Sequence, residues 1–335
     1  MKVVITGGAG FLGGRLAAAL LQRRTLRGPE GRDETIDQLT LVDIAPPPAF
    51  SDPRVLSSHG DIADPEVLRK AVAGADSIFH LAAIVSGMAE TEFDLGMRIN
   101  IDATRLLLDL CRGPADADHS PSGHPRHPPR LIFASSIAVY GGELPGTVAE
   151  TTALNPQSSY GTQKAVAELL INDYTRRGFV DGRVLRLPTI SVRPGRPNAA
   201  ASSFASGIVR EPLDGQEAVC PVDPQTRLWL SSPSAAVESL IAVHDVTLGS
   251  HRILNAPGIS LTAREMVASL ERVAGAEVAS RVRWERDARI ARIVATWPGA
   301  LDTTRARALG FRGDETFDAV IRRYMDERGA GPVAV

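Results

Sequence analysis

The segment Thr6-Gly-Gly-Ala-Gly-Phe-Leu-Gly13 constrains this chain more than any other. It follows the apolar run Val3-Val-Ile5 and opens the apolar stretch Phe11–Arg23, so it reads as a tight turn between a buried strand and a helix. The glycines parse as Gly7-x-x-Gly10-x-x-Gly13 or as Gly8-x-Gly10-x-x-Gly13. Either spacing lets bare backbone approach a pyrophosphate, while the helix start supplies unpaired N–H groups and partial positive charge. A glycine string alone is weak evidence. The strand before it and the helix after it give the context that a dinucleotide site requires. Gly7, Gly10, Phe11, Leu12 and Gly13 are therefore expected to face a cofactor.

The rest of the chain alternates in the same way. Strands are expected at 39–43, 54–57, 77–81, 131–135 and 183–186, with helices at 65–73, 90–111 and 159–176. Residues 24–38, charged and punctuated by Gly and Pro, read as a loop. Alternating strands and helices give βαβ units, hence an α/β doubly wound parallel sheet of the Rossmann type. Beyond Pro188 the pattern loosens, with many Pro, Gly and Ser at 193–234 and helices near 262–274 and 315–327. Thr262-Ala-Arg-Glu265 has the form of a capping box. The expected division is a cofactor domain at 1–187, joined by 228–250, and a smaller C-terminal substrate-binding lobe at 188–227 and 251–335.

Asp43 ends the second expected strand. A carboxylate there accepts hydrogen bonds from the adenosine ribose hydroxyls and repels a 2′-phosphate, and Ile44 and Ala45 offer no cation to offset that repulsion. The cofactor expected is NAD, not NADP. A formal net charge of −2 gives no reason to expect nucleic acid or an anionic membrane as partner. Cys111 and Cys220 are far apart and form no metal-type pair, and no leader or long apolar span is visible, so the expected location is the cytoplasm. His119, His124 and His127 lie among Pro, Ser and Gly in the stretch 113–130, which reads as a surface loop; no metal is expected.

Tyr160-Gly-Thr-Gln-Lys164 sets a phenol and an ammonium four residues apart at a helix start, on one face. The 335 residues hold four Tyr and three Lys, so chance supplies only about 0.04 such pairs. An ammonium beside a phenol favours the phenolate, which suits Tyr160 to take an alcohol proton, and Lys164 can also hold the nicotinamide ribose. Ser136 ends the strand before that helix, where it can donate to a substrate oxygen. Ser136, Tyr160 and Lys164 are the catalytic candidates for alcohol/ketone chemistry.

Together these residues resemble the extended short-chain dehydrogenase/reductase superfamily, in the branch of NAD-dependent nucleotide-sugar epimerases and dehydratases. The resemblance spans nearly the whole chain and includes Gly60-Asp-Ile62, His80-Leu-Ala-Ala83, Asn100 and Phe133–Gly141. It implies cofactor roles for Asp61, Ile62, Leu81, Ala82, Ala83, Asn100 and Pro188, and a homodimer formed by the long helices near 90–111 and 159–176. The sugar-nucleotide pattern Arg-Asp-aromatic-x-His-Val-x-Asp is broken here: Arg227-Leu-Trp-Leu-Ser-Ser-Pro-Ser234 lacks its His and both acids.

Arg186–Gly195, Pro197–Ser206 and Val294–Gly299 instead look like the D-erythronate dehydrogenase family, which implies oxidation of the alcohol beside the carboxylate of a small sugar acid. Such a substrate needs a cation, for which Arg193 and Arg227 are candidates, and hydroxyl-binding groups, for which Ser86 and Thr189 are. A sugar-nucleotide epimerase that retains its NAD and an NAD-sensing regulator without turnover remain the alternatives.

Overall fold

The computed structural model describes residues 1–113, 127–195 and 200–329. Seven strands form one sheet in the spatial order 253–255, 181–187, 130–136, 77–80, 2–6, 38–43, 55–59. All six pairings are parallel. The order reverses between Lys2–Thr6 and its neighbour Ser77–His80, because the chain runs outward from the first strand on one side and then restarts on the other. The carboxyl ends diverge there and leave a crevice, the ordinary ligand position in an open α/β sheet.

Alternation along the strands sends side chains to both faces. Val3 and Ile5 enter one core with Leu16 and Leu20 of helix Phe11–Arg23 and Leu240 of helix Pro233–Asp245. Val4 enters the opposite core with Leu107, Leu108, Ala167 and Ile171. Each fully buried large aliphatic side chain contributes about 1.5–3 kcal/mol. A third core holds the smaller lobe, where Phe204, Ile208, Leu230, Met266, Leu270 and Ile321 pack together. The capping box forms there as expected, with Glu265 N–H donating to Thr262 Oγ1 at 3.1 Å and Thr262 N–H to Glu265 Oε2 at 2.6 Å.

Several local expectations are corrected. Residues 24–38 hold a two-stranded hairpin, Thr25–Arg27 with Asp33–Thr35, because Leu26 and Ile36 are buried against the core. The helix expected over 90–111 is broken into Ser86–Thr91, Phe93–Gly96, a π-helical turn Met97–Asp102 and Ala103–Arg112. Helices Phe204–Leu213 and Pro233–Asp245 occupy stretches whose Pro and Ser content concealed them. Ile253–Asn255, assigned to the smaller lobe, is the edge strand of the large sheet, while Arg227–Ser231 joins Ile259–Thr262 and Thr189–Ile190 in a separate three-stranded sheet. His119 and His124 lie outside the described residues. Among those described, no three His, Cys, Asp or Glu gather as a metal site, and no helix is long and apolar enough to cross a membrane. Cys111 and Cys220 are free thiols.

Candidate active site

A cavity of about 620 Å³ opens over the crevice. One end is lined by Gly7, Gly10, Phe11, Leu12, Gly13, Asp43, Asp61 and Ile62, and its middle by Leu81, Ala82 and Ala83. Its far end carries Ser86, Ser136, Tyr160, Lys164, Pro188, Thr189 and Arg193. Arg98 and Trp297 also line it, and sequence reasoning missed both. Arg98 sits in a π-helical turn, which no local periodicity signals, and Trp297 comes from the distant smaller lobe.

The glycine turn has room for backbone and nothing else. Gly7 has φ +76°, and a Cβ there would stand 2.8 Å from the Ala82 nitrogen. A Cβ on Gly13 would stand 2.1 Å from the Gly7 carbonyl oxygen. Helix Phe11–Arg23 begins at Gly10, with no side chain capping its first N–H groups. A bare, close-packed helix start fits a dinucleotide pyrophosphate. At the rim, Asp43 accepts the Ala9 N–H at 3.0 Å and the Ala45 N–H at 3.1 Å, which fixes its carboxylate. Asp61 accepts the Ala63 N–H at 2.9 Å and pairs with Arg98 at 2.7 Å, and these contacts hold its carboxyl below the usual range against the opposing effect of burial.

Asn100 is not on the cavity wall, contrary to its expected cofactor role. It is buried, accepts the Ile84 N–H at 2.8 Å, and donates to the Ile84 carbonyl at 3.0 Å and to Gln163 Oε1 at 2.6 Å. The π turn carries Asn100 beneath the loop after Ser77–His80, so it braces that loop against helix Ser159–Arg176. Arg227 is also corrected. It stands at the outer end of its strand, half exposed, near Ser260 and Glu265, and does not line the cavity.

Ser136, Tyr160 and Lys164 do converge. Ser158 caps helix Ser159–Arg176 by accepting the Gly161 N–H at 3.1 Å, and a Cβ on Gly161 would stand 2.1 Å from the Ala138 carbonyl. That close approach brings the helix onto the strand end, where Ser136 and Tyr160 line the cavity together. Lys164 donates to the Ala134 carbonyl at 2.9 Å and lies 4.5 Å from the Phe133 ring centroid.

The expected electrostatics are revised. Burial pushes the Tyr160 phenol up to about 12, opposed by Ser136 and by Arg193. Arg193 thus acts on the phenol, and the Lys164 ammonium expected to do so stands 5.7 Å from its ring centroid. Burial also brings the Lys164 ammonium down to about 7, with Glu168 opposing. Burial and Arg210 pull Arg193 down, while Tyr160 acts the other way. The Arg193 N–H donates to Ser206 Oγ at 3.0 Å, and its carbonyl accepts from Arg210 at 2.8 Å. Ser86 Oγ accepts the Ala201 N–H at 3.1 Å, which ties the first turn of its helix to the smaller lobe. Thr189 is buried at the start of its short strand. The arrangement offers a proton-transfer group, hydroxyl donors and a guanidinium within one partly enclosed space.

Residues 3–257 match the model of the NAD dependent epimerase/dehydratase family. The chain is 57% identical to D-erythronate dehydrogenase of Cupriavidus necator over 98% of its own length and 99% of that protein. It is 47% identical to D-erythronate dehydrogenase of Haemophilus influenzae, covering 97% and 99% of the two chains. The crystal structure described as a nucleoside-diphosphate-sugar epimerase from Agrobacterium tumefaciens superposes with a TM-score of 0.89 at 41% identity, over 99% of this chain and 95% of that one.

Proposed function

Since the chain belongs to the NAD dependent epimerase/dehydratase family, we propose that it oxidises D-erythronate, or a close four-carbon hydroxy acid, to the 2-oxo acid. The observation that carries this reading is the far end of the cavity, where Arg193 and Thr189 stand with Ser136 and Tyr160 beyond the glycine turn. A hydroxy acid has one permanent charge. A partly buried guanidinium in the same cavity as the phenol suits a carboxylate next to the reacting carbon.

NAD, when bound, supplies the hydride acceptor. Gly7, Gly10 and Gly13 with the helix start would hold its pyrophosphate, Asp43 its adenosine ribose, and Asp61 and Ile62 its adenine. Leu81, Ala82, Ala83 and Pro188 would flank it, and Lys164 would hold the second ribose.

The chain's own residues then manage one proton and one carboxylate. Tyr160 takes the proton of the substrate hydroxyl as the alcohol becomes a ketone. Ser136 donates to the same oxygen and steadies the charge that develops on it. Arg193 orients the carboxylate, so that the alcohol beside it faces the phenol. Ser86 and Thr189 serve the remaining hydroxyls. Burial holds the proton on free Tyr160, so the phenol must be brought down by the ligands that fill the cavity, with Arg193 already acting in that direction.

The protein works as a homodimer in this reading. Exposed Phe93 and Leu169, on helices Phe93–Gly96 and Ser159–Arg176, support pairing through that face. The test of function is an absorbance screen for NADH across aldonic acids and uridine-diphosphate sugars. NADH formed in proportion to erythronate consumed is the expected result. Epimerised sugar without NADH, alongside inert aldonic acids, would overturn it.

A further inference from the structure

Behind the catalytic residues lies a buried carboxylate with no part in the chemistry above. Glu168 is 0% exposed, and its partner Arg186 is 2% exposed. Oε1 of Glu168 accepts from Ser135 Oγ at 2.5 Å and from Arg186 Nε at 3.0 Å, while Oε2 accepts from Arg186 Nη2 at 2.6 Å. Arg186 also donates to Tyr140 Oη at 2.5 Å and to the Glu150 carbonyl at 3.1 Å. Every group is satisfied, and Glu168 does not line the cavity over the crevice. Buried ion pairs are a poor source of stability, since apolar residues of similar size often serve as well. The placement of this one needs another reason.

Glu168 follows Tyr160 and Lys164 at intervals of four, so the three side chains form a stripe along one helix face. That stripe meets three consecutive residues at the end of strand Arg130–Ser136. Lys164 engages the Ala134 carbonyl and Glu168 the Ser135 hydroxyl, while Tyr160 and Ser136 line the cavity together. From this register we propose that Glu168 is a positioning residue: it locks the strand end to the catalytic helix and supplies the buried counter-charge of the Lys164 ammonium. The proposal rests on the roles given above to Ser136, Tyr160 and Lys164.

The groups facing Lys164 favour this assignment. On its own helix stand Tyr160 and Glu168; from strand Ser77–His80 comes His80, and from Arg130–Ser136 the Phe133 ring. Arg186, from Asp181–Leu187, is held by Glu168. His80 is buried and neutral, its imidazole brought down to about 3 mainly by burial. Among the described residues facing Lys164, Glu168 is the carboxylate, one helical turn along, and it opposes the burial that brings Lys164 down to about 7. Without it, Lys164 would lose its proton at lower pH and with it the charge needed to hold a ribose hydroxyl.

The test uses the full chain with NAD and erythronate. Glu168→Gln keeps the shape and removes the charge. The alkaline limb of kcat/KM should move to lower pH by roughly one unit, a tenfold change in Lys164 proton affinity. The pH at which NADH binding weakens, read by fluorescence without substrate, should move in the same direction. Glu168→Asp should restore both limbs but keep a reduced kcat, because the shorter side chain no longer reaches Ser135. Ser135→Ala should lower kcat by about threefold or more, with the alkaline limb and NADH binding unchanged.

A folded Glu168→Gln protein with the wild-type limb in both measurements would overturn the proposal. If that variant does not fold, wild-type kcat in both Glu168→Asp and Ser135→Ala would do so. Tyr160→Phe run in parallel separates the two levels: full activity there sinks the trio itself, whereas a loss there beside unaltered Glu168 variants sinks only the role of Glu168.

Discussion

Lys164 and Tyr160 stand one helical turn apart with the ammonium 5.7 Å from the phenol ring centroid, yet the ammonium donates to the Ala134 carbonyl at 2.9 Å. Its hydrogen bond goes to the strand that carries Ser136. The phenol answers to burial, to Ser136 and to Arg193. Removing the phenol oxygen should therefore leave the helix, the strand end and the cofactor end of the cavity in place. We expect Tyr160→Phe to lower kcat by about 10²–10⁴-fold while NAD affinity changes little. Steady-state kinetics beside a binding titration checks this, and near-normal turnover would refute the assignment.

Asp43 is fixed at the cavity rim by two backbone N–H donors. Asp43→Ala should weaken NAD binding and relax discrimination against NADP, because ribose hydrogen bonding and phosphate repulsion vanish together. The ratio of kcat/KM for the two cofactors is the measurement, and an unchanged ratio would sink the role.

Arg193 lines the cavity and Arg227 does not. Arg193→Ala should cost about 1.5–3 kcal/mol in kcat/KM for a hydroxy acid, the range for hydrogen bonds to charged groups. Arg227→Ala should cost little. Erythritol, which lacks the carboxylate, should be a very poor substrate for the unaltered enzyme. Equal use of erythritol and erythronate would remove Arg193 from this role.

Two buried histidines predict acid sensitivity. His80 lies between Thr6 Oγ1 at 2.7 Å and Thr104 Oγ1 at 2.9 Å, and His244 Nε2 lies 2.8 Å from Ser77 Oγ. Burial brings them from the ordinary 6.5 down to about 3 and about 4. Below pH 6.5 the unfolded chain binds these protons first, so their contribution is complete above that pH and is lost progressively toward pH 3–4. Tm should fall over this window, and His80→Gln should show a shallower fall from a lower start. Identical slopes would contradict it.

Pairing through the helical face predicts a monomer when the apolar contacts are charged. Phe93→Asp combined with Leu169→Asp should shift sedimentation from dimer to monomer without unfolding, since both side chains are more than half exposed in one protomer. A wild-type protein that sediments as a monomer at micromolar concentration would end this reading.

Much of this protein is local in origin and was legible in the sequence. The glycine turn, the strand after it with Asp43, and the Tyr160–Lys164 spacing are read along a single element, because small residues, strand alternation and helical period act over a few positions. What distant chain segments do to one another was not legible. The break at Glu92 and the π turn at Met97–Asp102 accompany the contact of Asn100 with Ile84 and Gln163, which no neighbour in sequence announces. Arg193 and Arg227 looked equivalent as cations. Only the three-stranded sheet set Arg227 at an outer strand end, while the loop after Thr189–Ile190 carried Arg193 to the cavity. Charge works the same way: residue type gave Tyr160 and Lys164 their ordinary proton affinities, and burial by the assembled strands and helices moved both, because desolvation depends on everything packed around a group.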